Sequence, residues 1–161
     1  MATLRAHRLS VDLPRGWDGQ IYVRDLPDHL LDDLTLTTTP SATYPILHAS
    51  NVALPATRGD FGGTALEAMG PGGVFVAVLE AAPADAATAV YQHPVPWPLD
   101  PDDLRPEQMQ RGIPGGAGCQ RFFTAGQRGF CLYVAIGSHA QRRILVREAN
   151  RVLTTVTIDP R

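Results

Sequence analysis

The sequence predicts an α+β domain, with a mostly antiparallel β-sheet packed against a C-terminal helix and a few short helices. Three patterns carry that expectation. Residues 8–13 set Leu9, Val11 and Leu13 against Arg8, Ser10 and Asp12, the two-residue alternation of a half-buried strand. Residues 74–80 read Val-Phe-Val-Ala-Val-Leu-Glu, apolar almost throughout, as in a strand covered on both faces. Residues 138–153 place Leu145, Ala149 and Val152 on one side and arginines on another, the signature of an amphipathic helix.

Taken in order, the strand over 8–13 ends in the turn Pro14-Arg15-Gly16-Trp17-Asp18-Gly19. Alternation resumes over 20–24 with Ile21 and Val23, which suggests an opening hairpin. Residues 26–34 suggest a helical turn capped by Asp28, and the threonine-rich 35–43 a loop or edge strand. A third strand region spans 45–54, and a short helix over 64–69 stops at Gly70. After the central strand come an alanine-rich helical turn over 83–89 and a stiff, proline-rich connector over 93–106. Residues 107–111 predict a brief helix.

Residues 118–123 and 128–136 then form a hairpin around Ala125-Gly126. A hairpin centred on Ala125 sets Cys119 and Cys131 nearly opposite each other; a one-residue shift moves them to different faces. Two buried thiols acting as small hydrophobes are the expectation. Ser138-x-x-Gln141 reads as a capping box opening the last helix, and the β-branched 154–158 as a final strand. One domain covers residues 1–161, long enough to bury about 70% of the surface the unfolded chain exposes.

Composition excludes several mechanisms. All 14 basic side chains are Arg, and Lys is absent, a usage typical of high-GC bacterial coding. Without Lys there is no ordinary phosphate-binding Walker loop, no Schiff base and no kinase strand lysine. Gly70-Pro71-Gly72-Gly73 and the glycines of 112–118 lead into strands, so they read as turns rather than phosphate loops, which open helices. Asp60-Phe61-Gly62 lacks the kinase motifs that would give it meaning, and Arg58-Gly59-Asp60 lacks an export signal. Ser138 beside His139 lacks the glycine spacing of a nucleophile elbow, and helix capping explains it. The five histidines show no metal-ligand spacing, and His48 with His93 is the pair to check. No catalytic residue, metal or cofactor is expected. With neither a signal peptide nor an apolar run long enough to span a bilayer, the expected location is the cytoplasm.

Charge is unevenly spread. Residues 12–33 hold Asp12, Asp18, Asp25, Asp28, Asp32 and Asp33 against two arginines, whereas residues 111–158 hold seven arginines and only Glu148. Arg143, Arg147 and Arg151 recur every four residues on the last helix, with Arg142 beside them, forming a basic stripe suited to an acidic partner; a solvated helix face is the plainer alternative. Trp97, inside the proline-rich connector, is either an interface anchor or a lid over the core.

The run Leu13-Pro14-Arg15-Gly16-Trp17 resembles the strand-ending turn of PsbP-like domains, and the closing helix with Asn150-Arg151-Val152-Leu153 followed by a strand is similar to theirs. The resemblance covers the two ends of the chain. It implies an antiparallel sheet flanked by helices in a binding or assembly module, and it assigns no residue a role. The expected function is a non-enzymatic protein-binding or accessory module. Its binding residues would be Trp97, Arg142, Arg143, Arg147 and Arg151, its partner a protein, acidic by charge; nucleic acid and membranes are not expected. The alternatives are a small-molecule site assembled from dispersed residues such as His48, Asp60 and Arg121, and a structural subunit of a homo-oligomer.

Overall fold

The computed structural model describes residues 1–23 and 44–161. The helix expected over 26–34, the loop or strand over 35–43, and four of the six aspartates of the acidic front lie outside the described residues.

Among the described residues, eight strands form two antiparallel sheets. β1 (Ala2–Ala6), β2 (Leu9–Leu13) and β8 (Thr157–Ile158) make a three-stranded sheet in the order β1-β2-β8. β3 (Asp18–Val23), β4 (Pro45–Ser50), β5 (Val74–Glu80), β6 (Ala117–Ala125) and β7 (Arg128–Ile136) make the larger sheet in the order β3-β4-β5-β7-β6. α1 (Gly63–Glu67) and α2 (Pro83–Ala86) are short, and α3 (Arg142–Leu153) is the long closing helix. This is the expected α+β architecture.

The larger sheet is covered on both faces, which is why β5 is apolar almost throughout. On one face, Leu47, Val76, Val78, Leu132 and Val134 pack with Leu145, Val146, Ala149, Val152 and Leu153 of α3 and with Leu9, Val11 and Leu13 of β2. On the other, Phe75, Ala77, Tyr133 and Ala135 pack under Leu66 and Met69. Each Leu, Val or Phe buried in this way contributes about 1.5–3 kcal/mol. No helix of the described residues is long and apolar enough to cross a membrane.

The opening hairpin does not form. β2 and β3 belong to different sheets: β2 pairs with β1 and β8, and β3 pairs with β4. The Pro14–Trp17 turn, closed by the Trp17 N–H on the Pro14 carbonyl at 3.1 Å, carries the chain from one sheet to the other. β3 then passes beneath the side chains of Leu4 and Leu13, close enough that a Cβ at Gly19 would meet both. The hairpin that does form joins β1 to β2 through His7 and Arg8, both at positive φ (52° and 62°). Neither residue type advertises such a turn.

The β6–β7 hairpin is centred between Gly126 and Gln127, one and a half residues beyond Ala125. Ala125 pairs with Arg128 across a two-residue turn of Gly126 and Gln127, with φ of 56° and 62°. Cys119 therefore faces Val134 and Cys131 faces Phe122, placing the two thiols on opposite faces of the sheet. Both are free and buried, as expected.

The last helix starts later than expected. The His139 N–H goes out to the Gly115 carbonyl at 2.7 Å, so residues 138–141 form a turn and α3 begins at Arg142. Only half of the capping box exists, the Gln141 N–H donating to Ser138 Oγ at 3.3 Å. The proline-rich connector is more structured than a spacer. It buries Leu99 and Leu104, and holds two short 3₁₀ turns, Pro101–Asp103 and Pro106–Gln108.

Candidate functional site

The four expected arginines lie on α3, and the connector crosses that helix at Leu99. Asn150 fastens helix and connector together: its Oδ1 accepts the Leu99 N–H at 2.8 Å and its Nδ2 donates to the Leu99 carbonyl at 2.9 Å. The side-chain amide thus pairs with the connector backbone as a neighbouring strand would. The turn that follows is self-capped, with Asp100 Oδ1 accepting the Asp102 N–H at 2.9 Å and Asp103 Oδ2 the Asp100 N–H at 2.8 Å. Between the connector and α3 lies an open cleft of about 450 Å³, walled by Asp100, Asp102, Arg143, Val146, Arg147 and Asn150 over Leu99.

The arginines of α3 divide into two kinds. Arg142 is committed inward, donating to the His139 carbonyl at 3.2 Å and lying 3.7 Å from the Asp102 carboxylate. Arg151 pairs with Glu148, one turn earlier, at 3.2 Å. Arg143 and Arg147 are exposed and have no hydrogen-bonding or ion-pair partner among the described residues. They stand one turn apart at the rim of the cleft, so their guanidinium groups can address one ligand together. Ile144, beside them, is 61% exposed. Guanidinium is a planar, permanently charged donor that matches carboxylate and phosphate oxygens two at a time.

Trp97 sits on the connector two residues before Leu99 and does not line the cleft. Its ring packs edge-on against Phe123, with centroids 5.2 Å apart, and lies half-buried against the main core. That is the geometry of a lid.

The dispersed residues do not converge. His48, Ala77, Tyr133 and Gln120 lie in one cross-strand row on one face of the sheet, and Arg121 projects from the other face. Arg121 is held by Asp103 at 3.0 Å and Gln108 at 3.1 Å. His48 is completely buried, and both of its ring nitrogens are occupied. Arg58 Nε donates to Nδ1 at 2.8 Å, so Nε2 carries the proton and donates to the Asp60 carbonyl, also at 2.8 Å. Burial is the main cause that pushes its pKa down to about 4; the Asp60 bond opposes the shift and the Arg58 charge adds to it. His48 is therefore a neutral tie between β4 and the 55–62 loop. His93 lies on the connector beside β6, its carbonyl accepting the Thr124 N–H at 3.0 Å.

The two cysteines and Ser138 are equally settled. Burial pushes the Cys119 thiol up to about 12 and also raises Cys131, so neither is a nucleophile at neutral pH. Ser138 Oγ accepts a turn amide, with no base drawn up to it. Among the described residues, no three His, Cys, Asp or Glu side chains come together in a way that could hold a metal ion.

The chain matches no family model, no curated protein and no solved structure.

Sequence reasoning located the arginine stripe but missed what organises it. Asp102 and Glu148 decide which arginines are occupied, and Asn150 ties the connector to α3. A signal for Asn150 existed: asparagine occurs at only two positions, 51 and 150. Asn51 does the same work elsewhere, accepting the Val74 N–H at 2.7 Å and donating to the Gly72 carbonyl at 2.9 Å.

Proposed function

We propose that this protein is a non-enzymatic binding module that docks an acidic segment of a partner protein on the Arg143–Arg147 rim of the α3 cleft. One observation carries the reading: these two exposed guanidinium groups stand a helical turn apart and are unpaired among the described residues, while their neighbours Arg142 and Arg151 are occupied. Ile144, next to Arg143 in the chain, leaves an apolar side chain exposed on the same helix. The likeness of the Leu13–Trp17 turn and of the closing helix and strand to PsbP-like domains supports a role of this kind, because such domains serve mainly in binding and assembly.

The test uses an immobilised oligoglutamate peptide and the full chain. The wild type is expected to be retained at low salt and released as salt rises, because exposed ion pairs are screened. The chain carries a net charge of −2 at pH 7, so retention would require a local basic surface. The Arg143→Glu/Arg147→Glu variant, checked for an unchanged circular dichroism spectrum, is expected to pass through. Equal retention of both proteins, or of neither, would remove the proposal. Capture from native lysate with the same two proteins then identifies the partner by its absence from the variant.

A further inference from the structure

A second surface, away from the α3 cleft, offers a different kind of recognition. β6 is an outer strand of the larger sheet. Its hairpin with β7 closes on the pair Ala125–Arg128, so odd-numbered residues of β6 bond to β7 and even-numbered ones direct their backbone groups outward. The outward groups of Gly118 are used: its N–H donates to the Arg105 carbonyl at 3.0 Å and its carbonyl accepts the Arg105 N–H at 2.8 Å. At the other end, the Thr124 N–H donates to the His93 carbonyl at 3.0 Å. Between them the N–H of Gln120 and both the N–H and the carbonyl of Phe122 have no partner among the described residues. The Gln120 carbonyl accepts only its neighbour's side chain, Arg121 Nη1, at 2.9 Å.

Arg105 and His93 thus occupy the two ends of the next strand position and leave its middle open. A trough of about 640 Å³, lined by Val90, residues 93–96, Asp103 and residues 120–122, runs along this gap. Val90 and Val95 are 53% and 39% exposed; they are two of only four large hydrophobic side chains left exposed among the described residues. The half-buried Phe122 ring adds an apolar floor, edge-on to Tyr91 at 5.2 Å. Unpaired strand donors and acceptors are matched by one kind of ligand, another extended backbone, and the valines select for apolar side chains on it.

We propose that the open stretch of β6 at Gln120–Phe122 accepts an extended, apolar peptide segment of a partner protein as an added strand. A second copy of this chain does not fit the place. Its own β6 carries Arg105 and His93 across the same strand position, and these would meet their counterparts before the two edges reached strand spacing. A free peptide has no such flanks. This site is independent of the arginine rim and stands or falls separately from it.

The probe is a library of short random peptides displayed on phage and panned on the full-length protein. Enriched sequences are expected to alternate apolar residues, and the synthetic peptide is expected to slow amide exchange at Gln120 and Phe122. The Gln120→Pro variant removes an outward N–H without touching the β7 ladder, a substitution that edge strands tolerate. It is expected to weaken binding by at least about tenfold. Because that variant could lose stability, the selected peptide is also made with alternate backbone amides N-methylated, and this form is expected to lose wild-type binding by a similar factor. Full binding by the N-methylated peptide, protection at residues elsewhere, or no enrichment at all would overturn the proposal. So would a wild-type dimer in solution that Gln120→Pro dissociates, which would give the edge to a second copy.

Discussion

The Arg128 guanidinium grips the Glu80 carboxylate with two parallel hydrogen bonds, Nε to Oε1 at 3.0 Å and Nη2 to Oε2 at 2.7 Å, and both side chains are buried. The remaining Arg128 donors reach the carbonyls of His7, Arg8 and Asp159, so one side chain joins β5 and β7 to the β1–β2 turn and to the residue after β8. Arg161 completes the group, donating to Glu80 Oε1 at 2.6 Å. Every hydrogen-bonding nitrogen of Arg128 is satisfied, which is the condition under which a buried charge persists.

Removing one member leaves the other stranded. Glu80→Ala is expected to destabilise the protein by about 3–5 kcal/mol, because Arg128 stays buried without its counter-charge. Urea denaturation at pH 7 measures this. Burial alone would raise the Glu80 carboxyl, but the hydrogen bonds from Arg128 and Arg161 outweigh it and hold the group below the usual carboxylate range. Its contribution is therefore present above the unfolded-state value and is lost as pH falls through the lower folded one. Glu80→Gln should lack that acid-induced loss.

His48 acts over a different range. Its folded pKa lies near 4 against 6.5 for an exposed histidine, so the neutral ring is favoured by folding. Stability from this source is complete above pH 6.5 and declines as the medium falls from there towards 4, by roughly 3 kcal/mol in all. A His48→Gln variant, whatever its absolute stability, is expected to show a flatter profile between those limits. Urea midpoints for both proteins at intervals across the window provide the comparison, and parallel profiles would contradict the assignment.

Gly62 has a backbone that side chains rarely adopt, with φ at 86°. A Cβ there would lie 2.8–2.9 Å from the Phe75 ring, itself fully buried and unable to withdraw. Gly62→Ala combines left-handed strain with overpacking and is expected to cost about 3 kcal/mol. Gly72→Ala, where nothing lies within 4 Å, serves as the control and should fall within about 0.5 kcal/mol of the wild type.

Both thiols should be silent in the native protein. With Cys119 raised to about 12 and Cys131 also raised, native protein at pH 8 is expected to take up no iodoacetamide over a time in which the urea-unfolded chain takes up two. Mass spectrometry reads the result. Mild oxidation is expected to leave the chain without an internal disulfide, because the sheet itself separates the two sulfurs.

Short-range pattern sufficed wherever one element's own periodicity defined it. β5 and β7 were legible to the residue, since a strand covered on both faces needs little beyond a run of apolar and β-branched side chains. The arginine spacing on α3 was legible for the same reason. The β1–β2 hairpin escaped because His7 and Arg8 adopt positive φ without glycine or asparagine. The late start of α3 escaped because its first turn is held by Gly115, more than twenty residues away in sequence.

By itself the sequence determined the α+β class, the central strands, the amphipathic closing helix and the absence of lysine chemistry, all properties of composition or of spacing within one segment. Only the tertiary structure decided that β2 and β3 part into separate sheets, that Cys119 and Cys131 face opposite ways, and which arginines of α3 stay unpaired. The parting of β2 from β3 and the occupation of Arg142 by Asp102 depend on segments distant along the chain, and the facing of the cysteines depends on the register set by the Gly126-Gln127 turn; periodicity within one strand or helix carries no information about either.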